Sequence, residues 1–417
     1  TNNDMNQYGI FTQSGGRVDI DKIGLNSYSI GGYAIDCGKI IFGAGAEVTS
    51  DVGAALFVYG NDSKIEVGAD ANLTSSYYGS GGGTLSAGGG GLLVIGTDSN
   101  IINDFSSAPR NDDHYVIFAD SDGRVEVGDG AAIKVTGSNG NNNNAVMAGN
   151  GIYKAAGTVI IGKNSAITTD GSSSYGVAAT QAGSYAEVGQ GTQIIMGGID
   201  SVGFAAINQS AAHLEDGAEV VLEEDGSTAV YAYDGGQVTG GNGIQITAHG
   251  DNSSGLHAEN GTIELGEGLS ITMNGTGSNG INVYANGKVE VGAGSQINMT
   301  ATGMHNGSDE TMAHGVWVEG GRNGAQSDFA DAVIGADSTI TTNGVGSFGV
   351  VVENRSGSDY GKVTLNDGVS IQTAGLYSGG LYAEGPGAFI EGGDDISVST
   401  EGFRAPAVWA REGGGIA

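Results

Sequence analysis

The chain has 417 residues, including 80 glycines and only three prolines, and glycine shows no strict every-third-residue period, which excludes collagen. Hydrophobic residues make up 39% of the sequence and recur regularly, which argues against disorder. The net charge of −32 repels phosphate backbones and anionic lipid, so it argues against nucleic-acid and membrane-surface binding.

A repeated unit of three short segments runs through the chain. Each unit has an apolar segment, a Val-x-Val-Gly segment and an Ile-x-x segment, separated by Gly- and Asn-rich turns; clear copies are 175–196 and 279–299. The period-two alternation of Val, Ile and Thr predicts strands. In chain order, the glycine of the middle segment, or its equivalent, falls at Gly43, Gly68, Gly96, Gly128, Gly162, Gly189, Asp216, Gly240, Gly266, Gly292, Gly335, Asn366 and Gly392.

This period predicts a stacked solenoid rather than a globule with a pocket. We expect one all-β domain over 1–417, a parallel β-helix of about 14–15 three-strand coils. Longer intervals between repeats predict extruded loops near 75–90, 103–114, 137–145 and 303–331. The single cysteine, Cys37, excludes an intrachain disulfide, and the repeat register predicts that it points into the core.

One position of the first segment is rich in aromatic residues. Period two places it on the outside of the coil, because its neighbours are the inward valines. Both tryptophans of the chain occupy this position. Read coil by coil, the predicted outward residues are Phe11, Asp36, Phe57, Ser86, Phe118, Met147, Ala178, Ala205, Tyr231, His257, Asn282, Trp317, Val351, Tyr382 and Trp409.

A second outward position lies two residues further along and carries several acids. It includes Tyr59, Asp120, Tyr233, Glu259, Glu319, Glu353 and Glu384. Aromatic rings edged with carboxylates suit sugar stacking, or a protein partner anchored by Trp and Tyr. The alternative is that these rings stack on one another or lie under the loops. Our predicted binding residues are Phe57, Phe118, Tyr231, His257, Trp317, Tyr382 and Trp409, with Asp120, Glu259, Glu319, Glu353 and Glu384 as flanking acids.

The middle segments carry a further series of acids, namely Asp19, Glu66, Glu126, Glu187, Glu264 and Glu290. Stacked at strand spacing, like charges repel, so we interpret this series as a device for solubility and against sheet aggregation. Divalent-cation binding is the alternative. Asp120 and Asp122, in an Asp-x-Asp-Gly turn, are the candidate calcium ligands. We expect no cofactor, with calcium left open.

The units Val289–Ile297 and Ile263–Ile271, each preceded by a Gly-aliphatic segment, resemble the passenger domains of bacterial type V autotransporters. The likeness is to the pertactin-like right-handed parallel β-helix and covers the chain from about Tyr8 to Ala417. It implies export through a C-terminal barrel outside this sequence, display at the bacterial cell surface, and a role in adhesion or self-association.

Motifs of known catalysts do not favour an enzyme. The two GxGxxG matches, at 275–280 and 344–349, are expected by chance among 80 glycines. No P-loop, HExxH or GxSxG motif is present. We therefore expect a non-enzymatic adhesin that binds a host cell-surface protein or glycan through the lateral face of the helix. The alternatives are self-association with another copy, and a β-helical polysaccharide lyase or hydrolase.

Overall fold

A computed structural model describes residues 8–76, 83–105, 114–137, 142–149, 155–301, 313–320, 329–354 and 360–417. Over these residues every regular element is a strand and none is a helix. The predicted fold class is confirmed: the chain is a parallel β-solenoid of about 13 turns, with about three strands in each coil. The chain divides into two compact units, a first unit (Thr1–Ala218) and a second unit (Glu219–Ala417).

The first unit contains strands β1 to β23, most of them four to six residues long. They are β1 (Tyr8–Thr12), β2 (Arg17–Ile20), β3 (Gly24–Ser27), β4 (Ile30–Ile35), β5 (Lys39–Phe42), β6 (Glu47–Ser50), β7 (Leu56–Tyr59), β8 (Lys64–Val67), β9 (Asn72–Ser75), β10 (Gly83–Gly88), β11 (Leu92–Ile95), β12 (Asn100–Asp104), β13 (His114–Ala119), β14 (Arg124–Val127), β15 (Ala132–Thr136), β16 (Asn143–Ala148), β17 (Thr158–Ile161), β18 (Ala166–Thr169), β19 (Tyr175–Thr180), β20 (Tyr185–Val188), β21 (Gln193–Met196), β22 (Val202–Ile207) and β23 (Ala211–Leu214).

The second unit repeats the same pattern in strands β24 to β44. They are β24 (Glu219–Leu222), β25 (Thr228–Tyr233), β26 (Gln237–Gly240), β27 (Gln245–Ala248), β28 (Ser254–Glu259), β29 (Thr262–Leu265), β30 (Ser270–Met273), β31 (Asn279–Tyr284), β32 (Lys288–Val291), β33 (Gln296–Met299), β34 (Val316–Gly320), β35 (Phe329–Ile334), β36 (Thr339–Thr342), β37 (Phe348–Asn354), β38 (Tyr360–Leu365), β39 (Ser370–Thr373), β40 (Gly379–Glu384), β41 (Ala388–Gly392), β42 (Ser397–Thr400), β43 (Val408–Arg411) and β44 (Gly415–Ile416).

Every third strand belongs to the same sheet, because each coil contributes one strand to each of three parallel sheets. In the first unit, the first sheet runs β1-β4-β7 to β22, the second β2-β5-β8 to β23, and the third β3-β6-β9 to β21. In the second unit, the corresponding sheets run β25 to β43, β26 to β44, and β24 to β42. A side chain therefore has its equivalents directly above and below it in the stack.

The interior of each coil is filled by the alternate residues of all three sheets. In the coil formed by β28 to β30, Leu256, Ile263 and Ile271 are fully buried, one from each sheet. Their apolar burial supplies most of the stabilisation of the stack, at about 25 cal/mol for each Å² removed from water. These inward rows of Val, Ile and Leu produce the period-two alternation of apolar residues that is visible in the sequence.

A glycine opens most first-sheet strands and lets the coil close tightly on the third sheet. A Cβ at Gly315 would overlap the Cγ2 atom of Ile340 and lie 2.6 Å from the carbonyl oxygen of Gly349. Gly349 is blocked in the same way by Ile371. The chain bends at these glycines, so the strict alternation of inward and outward residues is interrupted at the start of the strand.

The corner between the third and first sheets is closed by buried serines. The backbone N–H of Ser227 donates to the hydroxyl of Ser253 over 3.3 Å, and the N–H of Ser253 donates to the hydroxyl of Ser278 over 3.0 Å. Each hydroxyl thus satisfies a backbone group of the preceding coil that strand pairing does not reach. These serines hold consecutive coils in register at the corner.

The prediction for Cys37 is wrong. Cys37 lies in the turn after β4 with a positive φ of 67°, and its side chain is exposed. The turn ends the alternation of the strand, so the repeat register does not extend to it. The predicted loops fall largely on residues outside the described ranges, and the described residues within them belong to adjoining strands and turns.

Candidate functional site

In each unit, the strand register gathers the predicted aromatic position into a column on the outer face of the first sheet, which we call the outer column. In the first unit, Phe57 pairs with Ser86, Ser86 with Phe118, and Phe118 with Met147. In the second unit the column is continuous from Tyr231 through His257, Asn282, Trp317, Val351 and Tyr382 to Trp409.

One member of the predicted column is wrong. The residue paired with both Phe11 and Phe57 is Tyr33, not Asp36, which lies in the turn after β4. The coil that begins with β4 therefore adds an aromatic ring to the column. The ring centroid of Tyr33 lies 5.4 Å from that of Phe11 and 5.1 Å from that of Phe57, so the three rings form a continuous series of tilted and edge-to-face contacts.

The rings of the second unit also contact one another along the column. Tyr231 meets His257 at 5.1 Å between ring centroids, and Tyr382 meets Trp409 at 5.1 Å. Tyr284 bridges the gap between His257 and Trp317, at 5.2 and 5.6 Å, both edge to face. Edge-to-face rings are a favourable aromatic arrangement.

Exposure along the outer column differs from the prediction. The side chains point away from the coil interior as expected, but Phe118, Trp317 and Tyr382 are only 2%, 8% and 6% exposed. Phe57, Tyr231 and His257 are half-buried, and Trp409 is exposed. Between the two ends of the column, the accessible rings are therefore Tyr33 and Phe57 in the first unit and Tyr231 and His257 in the second unit, rather than Trp317 and Tyr382.

A second apolar cluster lies outside the first sheet of the second unit. It consists of Tyr284, Ala285, Trp317, Phe348, Val351 and Tyr382, all buried. Phe348 was missed by the sequence reasoning, because strict alternation from Val350 does not place it outside. The bend at Gly349 turns it outward, where its ring meets Tyr382 at 5.2 Å. An aromatic residue directly before the glycine is the signal that identifies this position.

His314 occupies the equivalent position one coil earlier. Its ring is buried against Trp317 and Phe348, at 5.9 and 6.0 Å between centroids, and its Nδ1 accepts a hydrogen bond from the backbone N–H of Phe348 over 3.2 Å. Burial lowers the pKa of His314 from 6.5 to about 3, because the charged form loses its hydration. The imidazole is thus neutral at physiological pH and acts as a packing group.

The flanking acids fall into the predicted row, two residues beyond the outer column, and their environments differ. Glu319 is only 1% exposed, while Glu259, Glu353 and Glu384 are half-buried. Glu384 pairs with Arg411 over 2.6 Å and accepts a hydrogen bond from the hydroxyl of Tyr382. This acid is therefore already neutralised within the fold.

The combination of accessible rings and an accessible acid occurs at β25 and β28. Tyr231 and Tyr233 stack with their ring centroids 5.8 Å apart and their planes at 17°. Tyr233 is 37% exposed, and its pairing partner on the next coil is Glu259. We call Tyr231, Tyr233, His257, Glu259 and Asn282 the tyrosine face.

The acids of the second sheet are not a stack of like charges in the first unit, contrary to the prediction. Along the sheet, each acid alternates with an apolar residue, so that acids stand about 10 Å apart rather than one strand spacing. The series is Asp19, Ile41, Glu66, Val94, Glu126, Ile160 and Glu187. Only Glu264 and Glu290, in the second unit, are adjacent, and Lys288 contacts both at 3.6 and 3.1 Å.

Each second-sheet acid of the first unit also has a partner two residues earlier in its own strand. Arg17 pairs with Asp19 over 2.9 Å, and Arg124 with Glu126 over 2.5 Å. Glu66 pairs with the ammonium of Lys64 in the same way, and the hydroxyl of Tyr185 donates to Glu187 over 2.7 Å. These carboxylates are held by side chains of the same strand, which leaves little reason for a cation to bridge them.

The candidate calcium turn shows no convergence of ligands. Asp120 is half-buried and Asp122 is exposed, and Ser121 and Asp122 both have positive φ angles in the turn after β13. Burial raises the pKa of Asp120, because desolvation disfavours the charged carboxylate. Among the described residues, no group of three or more His, Cys, Asp or Glu side chains is placed to hold a metal ion.

The fold defines the protein as a β-solenoid. No protein family matches the chain, and no curated protein is significantly similar to it. Within the described ranges there is no helix with the length and apolarity required to span a bilayer.

Proposed function

We propose that this protein is an extracellular adhesin, the displayed passenger of a bacterial type V autotransporter. It binds a host cell-surface protein or glycan through the lateral face of the first sheet. The observation that carries this proposal is the outer column, whose aromatic rings contact one another edge to face or tilted and lie outside the coil interior in both units. A row of aromatics outside a core is costly unless it is covered or used in binding.

The three-sheet solenoid supports the proposal, because successive coils present the same strand position at a regular spacing. Binding by several weak contacts along such a face gains strength when many copies are displayed together. The contacts between the rings support it further, since rings fixed by their neighbours lose little conformational freedom when a partner binds.

The burial of Trp317 and Tyr382 gives most of the column a scaffold role and restricts contact to its accessible members. These members are Tyr231 in the second unit and Phe57 in the first unit, and the exposed Tyr233 and Tyr59 lie beside them in the next outward row. Tyr59 lies over Gly88 and Gly89, where any Cβ would contact its ring, so its orientation is fixed by the next coil.

The test is a whole-cell and glycan binding screen of the protein, with and without calcium. The double variant Tyr231→Ala with Tyr233→Ala should lose at least about tenfold in affinity, in the range of a binding hot spot. Tyr28→Ala is the matched control, because Tyr28 is exposed but lies outside the outer column. Equal binding by the double variant and the control would refute the role of this face, and release of shortened saccharide would show an enzyme instead.

A further inference from the structure

The coils around the tyrosine face carry a large excess of acidic residues. Residues 219–287 include nine Asp and Glu residues and no Lys or Arg. The second sheet of the first unit offers the contrast, since Asp19, Glu66 and Glu126 each pair there with Arg or Lys. A surface with such an excess of negative charge produces a field that attracts the opposite charge.

Acids border the tyrosine face along both edges. At the corner before β25 and β28, Glu224, Asp225 and Asp251 are exposed, and at the other end of these strands lie the exposed Asp234 and the half-buried Glu259. A six-residue strand spans about 20 Å, so an extended segment of about six residues laid along a strand reaches both borders.

The rings between these borders suit a cation. Tyr231 and Tyr233 present their aromatic surfaces beside Glu259, and ring faces attract ammonium and guanidinium groups. A neutral sugar would form no ion pair with the acids at the two borders. A second copy of the chain would bring a net charge of −32 against a surface of the same sign.

A buried acceptor on the same face is a separate observation. Asn282 follows His257 in the outer column and is only 5% exposed. Its Nδ2 donates to the hydroxyl of Ser254 over 2.7 Å, but its Oδ1 has no hydrogen-bond partner among the described residues. An acceptor left without a donor is costly, and ammonium and guanidinium groups are donors only.

We propose that the tyrosine face docks a lysine- or arginine-rich segment of a partner protein. The side chains of the segment lie on Tyr231 and Tyr233, pair with Glu259 and the border acids, and supply a donor to Asn282. This inference rests on the proposed adhesive function and gives the partner its chemistry.

The test measures binding of a fluorescein-labelled octalysine peptide to the whole protein by fluorescence anisotropy. The same peptide with every lysine acetylated is the control for charge. Tyr233→Leu, which keeps apolar area but removes the ring, and Glu259→Gln should each weaken octalysine binding about tenfold. Glu47→Gln removes one exposed acid from the third sheet of the first unit and should change binding less than about twofold, since only net charge is altered.

Asn282→Leu separates a docking role from a structural one. It removes the unpartnered acceptor, so we expect unchanged or higher thermal stability together with weaker octalysine binding. Equal losses in all variants, Glu47→Gln included, would overturn the proposal in favour of attraction by net charge alone. Equal binding of the acetylated peptide would overturn it in favour of a neutral ligand. If the protein adheres to cells but does not bind octalysine, the adhesive function is supported and the docking proposal is refuted. If it binds octalysine but adheres to no cell, the docking proposal is supported and the adhesive function is refuted.

Discussion

Truncation of Trp317 should destabilise the second unit, although this residue lies outside the coil interior. A tryptophan buries roughly 200 Å². With 8% of the residue left exposed, the burial contributes about 4–5 kcal/mol at about 25 cal/mol for each Å². The buried Nε1 has no hydrogen-bond partner among the described residues, which offsets this by about 1–3 kcal/mol. We therefore expect Trp317→Ala to cost about 2–4 kcal/mol.

Hydrogen exchange of the amides in β31, β34 and β37 is the appropriate assay, because the stability of a repeat array depends on neighbouring coils. Trp317→Phe is the first control: it keeps a ring and removes the unpartnered N–H, so its cost should stay below about 1–2 kcal/mol. Trp409→Ala removes the other, more exposed tryptophan and should cost less than Trp317→Ala. Unchanged protection of β34 in Trp317→Ala would show that the ring contributes no packing, and the reasoning would fail.

Three further outcomes are expected. Gly315→Ala should lower the free energy of unfolding by about 1–3 kcal/mol in chemical denaturation, because its Cβ would overlap the third-sheet core, while Gly24→Ala, whose Cβ has its nearest neighbour at 4.0 Å, should be nearly neutral. The pKa of His314 is lowered from 6.5 to about 3, so its contribution to stability is complete above pH 6.5 and is lost as the pH falls toward 3. His314→Gln should reduce this loss of stability, measured as the unfolding midpoint against pH. An unchanged pH profile in this variant would contradict the prediction. Arg124→Gln removes one exposed ion pair and should shift the unfolding free energy by no more than about 1 kcal/mol, a difference that high salt abolishes.

The fold was predictable from sequence because the inward positions of the coils are filled mainly by apolar residues. Inward residues such as Leu256, Ile263 and Ile271 must be apolar, and the alternation that they create is visible without any structure. The same rule gave the register of the outer column from Phe57 to Met147 and from Tyr231 to Trp409.

The misses occurred where the alternation is interrupted. Cys37 lies in a left-handed turn, and Phe348 lies before a bend at Gly349, so counting by twos fails at both. Exposure was missed for another reason: a pattern shows which way Trp317 points but not which other side chains pack around it. The accessible part of the candidate site, Tyr231 and Tyr233, could therefore be found only from the packed side chains.

The ion pairs of the second sheet have a consequence for how such a chain changes in length. Because Arg17, Lys64 and Arg124 each neutralise an acid of their own strand, a coil of the first unit carries its counter-charge with it. Duplication or deletion of one of these coils would leave none of the three carboxylates without its partner. Glu264 differs, since Lys288 on the following coil contacts it, and loss of that coil would strand an acid. The coils that carry these three intrastrand pairs can therefore be gained or lost without separating a pair, whereas the coils that contain Glu264 and Lys288 must be kept together.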